Sequence, residues 1–135
     1  MLEAYTNNIT VATDATIPFA NVSLQKGCTA KIESSGTIEL NKSGIYMVSV
    51  DAAGTPTEDG DISIQLYKDG IPQPQAQSIA TGTTTAASNL SFTTLVQVKE
   101  NNTCSCCTSP TLVRVVNTGV PIAYSIANIV VTKVC

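Results

Sequence analysis

Apolar and polar residues alternate along most of this chain in short runs separated by turn-forming residues. Residues 61–69 show the pattern most clearly: Ile62, Ile64 and Leu66 fall on one side, Ser63, Gln65 and Asp69 on the other. A period of two is that of a β-strand with one dry and one wet face. Asp69-Gly70 ends the run with a strong turn signal. Residues 75–81 read as the return strand, and 82–88, rich in Thr and Ala, as a loop. Residues 36–50 read as two strands around the turn Asn41-Lys42-Ser43-Gly44. Further strand-like runs cover 16–22, 27–34, 89–102, 111–119 and 121–134. No window carries a helical period, and no repeat or linker divides the chain. Short strands at this spacing predict an all-β sandwich or barrel. All 135 residues are expected to form one domain, with 1–10 as a flexible N-terminal arm.

Two segments break the one-dry-face rule. In 122–134, Ile122, Tyr124, Ile126, Val130 and Val134 share one side, while Ala123, Ala127, Ile129 and Val131 share the other. In 45–50, Tyr46, Val48 and Val50 lie opposite Ile45 and Met47. A two-sheet sandwich has one interior, so a strand apolar on both sides calls for a second covering layer. Scattered surface apolar residues are one explanation. Packing of one sheet against neighbouring subunits is the other, and it implies a homo-oligomer. Tyr46, Met47, Tyr124, Ile126, Ile129 and Val131 are the interface candidates on this reading.

Several motifs resemble the C1q/TNF-like jelly rolls. Ser43-Gly44-Ile45-Tyr46-Met47-Val48-Ser49-Val50 is similar to the G-x-Y strand of that superfamily. Ile64-Gln65-Leu66-Tyr67-Lys68-Asp69-Gly70-Ile71-Pro72 resembles its L-Y-x-N-G-x-P hairpin, with Asp69 in place of Asn. Ala127 to Val134 resembles its final central strand. The likeness spans residues 10–135 in consistent order and is nearest to bacterial and phage members. It implies a two-sheet antiparallel jelly-roll sandwich whose inner sheet packs three copies around a threefold axis. It further implies a non-catalytic structural or adhesive module. The expected place is a phage virion surface, as a head fibre or capsid decoration, with capsid or other virion proteins and host surface glycans as candidate partners. A bacterial spore or cell-surface module and a carbohydrate-binding receptor-recognition domain are the alternatives. The aromatic content of 4% departs from the family's richer interfaces.

Charge and chemistry narrow the picture. Net charge is -3, and the seven Lys and Arg are scattered singly, so no basic stripe follows a phosphate backbone. No apolar run is long enough to span a membrane, and residues 1–10 carry neither a basic start nor an apolar core of a secretory signal. Asn-x-Ser/Thr triplets, among them those at Asn8, Asn21, Asn41 and Asn89, read as chance in so Asn- and Thr-rich a chain. The chain has no histidine, which removes Ser-His and Cys-His pairs and His-ligated metals; no enzyme and no cofactor is expected. Asp59 and Asp61, within Glu58-Asp59-Gly60-Asp61, are the one candidate calcium site, with a solvated turn as the simpler reading. The cysteines are Cys28, Cys104, Cys106, Cys107 and Cys135. Their spacing is not that of a zinc site, which leaves free thiols or disulfides. Strands 89–99 and 122–134, if separated by one antiparallel strand, end on the same side of the sandwich. That would gather Cys104, Cys106, Cys107 and Cys135 with the N-terminus, and at least one disulfide is expected there.

Overall fold

The structure is a computed structural model that describes residues 1–27, 30–33, 36–99 and 111–135. It contains ten strands: β1 Leu2–Val11, β2 Asn21–Gln25, β3 Ala30–Ile32, β4 Ile38–Leu40, β5 Gly44–Pro56, β6 Gly60–Lys68, β7 Ile71–Gly82, β8 Ser88–Val98, β9 Thr111–Asn117 and β10 Ile122–Lys133. They form two five-stranded antiparallel sheets, β2-β1-β10-β5-β8 and β3-β4-β9-β6-β7. No helix occurs among the described residues.

The interior follows from the period-two pattern. Tyr46, Val48 and Val50 of β5 and Ile122, Tyr124, Ala127, Ile129 and Val131 of β10 face Ile62, Ile64 and Leu66 of β6 and Val113 and Val115 of β9, all buried. Full burial of each large aliphatic side chain stabilises the fold by about 1.5–3 kcal/mol. The sandwich is closed along one side, where the Ser91 N–H of β8 donates to Ser78 Oγ of β7 at 3.3 Å.

Three sequence expectations change. Residues 1–10 are not an arm: β1 lies between β2 and β10, with Leu2 and Ala4 fully buried. Its inward side uses Ala4 and Thr6, residues too small or polar to advertise a buried strand. Residues 16–22 are not one strand. Ile17 and Phe19 plug the core from an irregular crossing, and regular pairing begins only at Asn21.

The third change is a bulge in β10. Tyr124 pairs with Gly54 but Ile126 pairs with Ala53, so Ser125 is an extra residue relative to β5. Ser125 Oγ donates to the Ala53 carbonyl at 3.1 Å. β1 follows the same bend through Asn8, opposite Ser125, in the left-handed region at φ 51°. Asn tolerates that conformation better than most residues. Gly54 accommodates the crowding, because a Cβ there would stand 2.6 Å from the Ala123 carbonyl oxygen. A bulge reverses which side each following residue takes.

At one end of the sandwich the crossing from β1 to the second sheet is stitched by Asn117. Its backbone N–H donates to Ala15 O at 2.9 Å and its carbonyl accepts from Asp14 N at 2.7 Å. Its fully buried side-chain Nδ2 donates to Val11 O, Ala12 O and Val120 O at 3.0, 3.3 and 3.1 Å. Asn117→Ala strands these carbonyls but also removes its buried, unpartnered Oδ1, so a net loss of about 1–3 kcal/mol is expected. Urea titration checks this: the midpoint should fall with the slope unchanged.

Candidate functional site

The outward face of the first sheet is the surface that the sequence analysis singles out. Cross-strand register sets its side chains in rows. Asn7, Ile126, Ala53 and Asn89 form one row; Tyr5, Asn128, Asp51 and Ser91 the next. Glu3, Val130, Ser49 and Thr93 follow, then Thr132, Met47 and Leu95. Ile126 is 47% exposed and Leu95 62% exposed, large values for side chains in the middle of strands. Met47, Val130 and Ala53 are half-buried beside them.

The polar groups of this face are neutral apart from Asp51 and Glu3. Glu3 Oε1 accepts from Ser23 Oγ at 2.6 Å, and Ser49 and Thr93 hydroxyls bond across strands at 3.2 Å. The side chains of Asp51, Asn89 and Asn128 have no partner among the described residues. With Ala53, Ser91 and Ile126 they line a groove of about 460 Å³. Such a face offers apolar contact and a few unspent hydrogen-bonding groups, the composition of a surface that another surface covers.

Alternation along β5 and the bulge at Ser125 in β10 decide which candidates belong here. Met47 and Ile126 point outward. Tyr46, Tyr124, Ile129 and Val131 do not: each is at most 1% exposed and points between the sheets. Reading 122–134 with an unbroken period of two places Tyr124 and Ile126 together, and the extra residue separates them. Leu95 joins the face unannounced by the sequence reading. Its signal was its isolation among Ser91, Thr93 and Gln97 on the wet side of β8.

Other candidate chemistry lies away from this face. Asp59 Oδ1 accepts the Thr84 N–H at 2.9 Å, and Asp61 is exposed at the start of β6. Among the described residues no group of three or more His, Cys, Asp or Glu side chains could hold a metal ion. Cys28, Cys104, Cys106 and Cys107 lie outside the described residues. Cys135 is an exposed free thiol. Its carbonyl accepts the Ile45 N–H at 3.3 Å, while Val98, the last residue of β8, pairs with Gly44. The ends of β8 and β10 therefore meet at one end of the sandwich. The N-terminus is there too, its ammonium donating to Lys26 O at 3.0 Å.

No family model and no curated protein sequence matches the chain. Solved structures do match along its whole length. The globular domain of zebrafish complement 1qA superposes with a TM-score of 0.74 at 8% identity, covering 99% of this chain and 96% of that one. The Eiger TNF of S. frugiperda gives 0.71 at 15% identity, covering 99% and 92%. The PRD1 vertex protein P5 gives 0.63 at 18% identity, covering 99% and 96%. The chain has the C1q/TNF jelly-roll fold. The sheet β2-β1-β10-β5-β8 holds both strands that the sequence reads as apolar on two sides, 45–50 and 122–134.

The two core tyrosines respond differently to their burial. Tyr46 donates its hydroxyl to Lys42 O at 2.7 Å. Burial raises its ionisation above the ordinary tyrosine range, partly offset by that bond. Tyr124 Oη is buried without a hydrogen-bond partner, and burial alone raises it further. Both phenols ionise more readily in the unfolded chain, so their contribution is intact below the ordinary tyrosine value of about 10 and is lost as pH climbs past it. Tyr124→Phe removes an unsatisfied hydroxyl and is expected to be neutral or stabilising by up to about 1 kcal/mol. Thermal melts from neutral to strongly alkaline pH should show a smaller alkaline fall in the variant.

Proposed function

We propose that this chain is a non-catalytic structural or adhesive module that works as a homotrimer on a phage virion surface, as a head-fibre or decoration protein. The observation that carries the reading is the outward face of β10, β5 and β8. Ile126 and Leu95 stand exposed there, beside Met47 and Val130, with Asp51 the one charge on those three strands' facing rows. Covering that face with further copies removes apolar surface from water, at about 25 cal/mol per Å². The sequence motifs support this arrangement, since their resemblance implies packing by this sheet around a threefold axis. The virion placement draws support from the likeness to the PRD1 vertex protein P5, a neighbour at 18% identity. An adhesive role suits a trimer, because three weak contacts presented together bind avidly.

Light scattering on the purified chain is expected to give the mass of three copies; a stable monomer overturns the proposal. Ile126→Asp places a charge in the covered face and is expected to shift the population to monomers while the β-sheet circular dichroism persists. Unchanged mass in Ile126→Asp and Leu95→Asp alike would move the interface elsewhere. A gene set among capsid genes supports the virion placement, and one among spore-coat genes overturns it.

A further inference from the structure

The second sheet carries, on its outward face, a pocket of about 260 Å³ lined by Thr37, Asp69, Gly70, Leu112 and Arg114. Leu112 and Arg114 alternate along β9 with the buried Val113 and Val115, so both point away from the core. Asp69 comes from the β6–β7 turn, held in the left-handed region at φ 51°. Two bonds lock it to β9: its N–H donates to Leu112 O at 2.7 Å, and its Oδ1 accepts the Leu112 N–H at 2.9 Å. The other carboxylate oxygen is uncommitted.

Arg114 is fixed from two directions. Its guanidinium carbon lies 5.1 Å from the centroid of the Tyr67 ring, and Nη1 donates to Thr16 Oγ1 at 3.0 Å. Its remaining N–H groups have no partner, and no acid pairs with it, among the described residues. A half-buried guanidinium of fixed orientation and unspent donors is preorganised for a carboxylate, which it can grip with two parallel bonds. Leu112, 40% exposed, supplies an apolar wall beside it.

We infer that this pocket binds one saccharide unit bearing a carboxylate, of the sialic or uronic acid class. The sugar carboxylate accepts two N–H bonds from Arg114. Ring hydroxyls donate to the uncommitted oxygen of Asp69, and a C–H face of the ring rests on Leu112. The volume lies below the range of pockets for drug-sized ligands and suits a single ring. Asp69 also discriminates: its charge repels a compact anion seated at Arg114, whereas a sugar acid can turn ring hydroxyls toward Asp69 and hold its carboxylate farther off. The pocket lies on the sheet opposite the proposed association face, so a trimer leaves each copy of it open and a monomer still holds the whole site. The inference therefore stands or falls separately from the trimer.

Calorimetric titration of the full chain with glucuronic acid, N-acetylneuraminic acid, glucose and inorganic phosphate tests it. Saturable binding of at least one of the two acids is expected, at least about tenfold tighter than glucose or phosphate. Arg114→Gln should weaken that binding at least about tenfold, and Arg114→Lys, which keeps the charge but not the planar fork, nearly as much. Asp69→Asn preserves the left-handed turn and the bond to Leu112, and should weaken binding several-fold. Circular dichroism and melting temperature check each variant; if Arg114→Gln fails to fold, the Lys variant decides. No saturable binding of either acid, glucose or phosphate binding as tightly, or Arg114 variants that bind like the parent chain would overturn the assignment.

Discussion

Burial of one side of β5 and β10 against β6 and β9 is the interaction on which everything else rests. The interior is one side chain deep from each sheet, so each central strand must present a continuous apolar row. β5 does so with Tyr46, Val48, Val50 and Ala52 in strict alternation. β10 cannot, because its apolar residues change phase after Tyr124. The extra residue at Ser125 repairs the mismatch: Ala127, Ile129 and Val131 return to the interior, and Ile126 is expelled to the outer surface. The exposed isoleucine on the outward face of the first sheet is thus a consequence of how the core is satisfied. Gly54 and Asn8, on the strands either side, are the residues that let the backbone follow.

The same topology sorts the molecule's ends. β8 and β10 flank β5 and run parallel to one another, which brings Val98, Cys135 and the N-terminus to one end. The opposite end holds the crossings that Asn117 ties together and the 83–87 loop that Asp59 caps. Exposed sheet edges invite unwanted pairing. β7, the edge of the second sheet, carries Pro72 and Pro74, which have no N–H to offer a further strand. β8, the edge of the first, is shielded by its contact with β7.

How much of this the sequence disclosed depends on the strength of the local period. The dry side of β6, with Ile62, Ile64 and Leu66 buried in step, was legible, as were the turn at Asp69-Gly70 and the start of β5 at Gly44. The jelly roll itself was legible because its motifs occur in the right order. β1 was not, since Ala4 and Thr6 sit inside while Tyr5 sits half outside. The face assignments in β10 failed at one residue: a bulge has no reliable sequence signature, and a single insertion inverts everything beyond it. The interface candidates were drawn from both faces of β5 and β10; burial puts Tyr46, Tyr124, Ile129 and Val131 inside and leaves Met47 and Ile126 outside. The Arg114 pocket was invisible, because it joins Thr37, Asp69 and Leu112 from three separate segments through strand register alone.

The two sheets differ in what stands beside their exposed apolar residues. Beyond its core side the first sheet presents Ile126, Leu95, Met47 and Val130 with few charges, a surface that gains by being covered. The second also exposes Ile71, Ile79 and Leu112, but beside Gln65, Tyr67 and Arg114, whose polar ends lose hydration if covered without partners. The proposed trimer would thus use the first sheet and the inferred saccharide site the second. Because the rigid interior lies between them, either surface can change its side chains without altering the strand register that holds the opposite one.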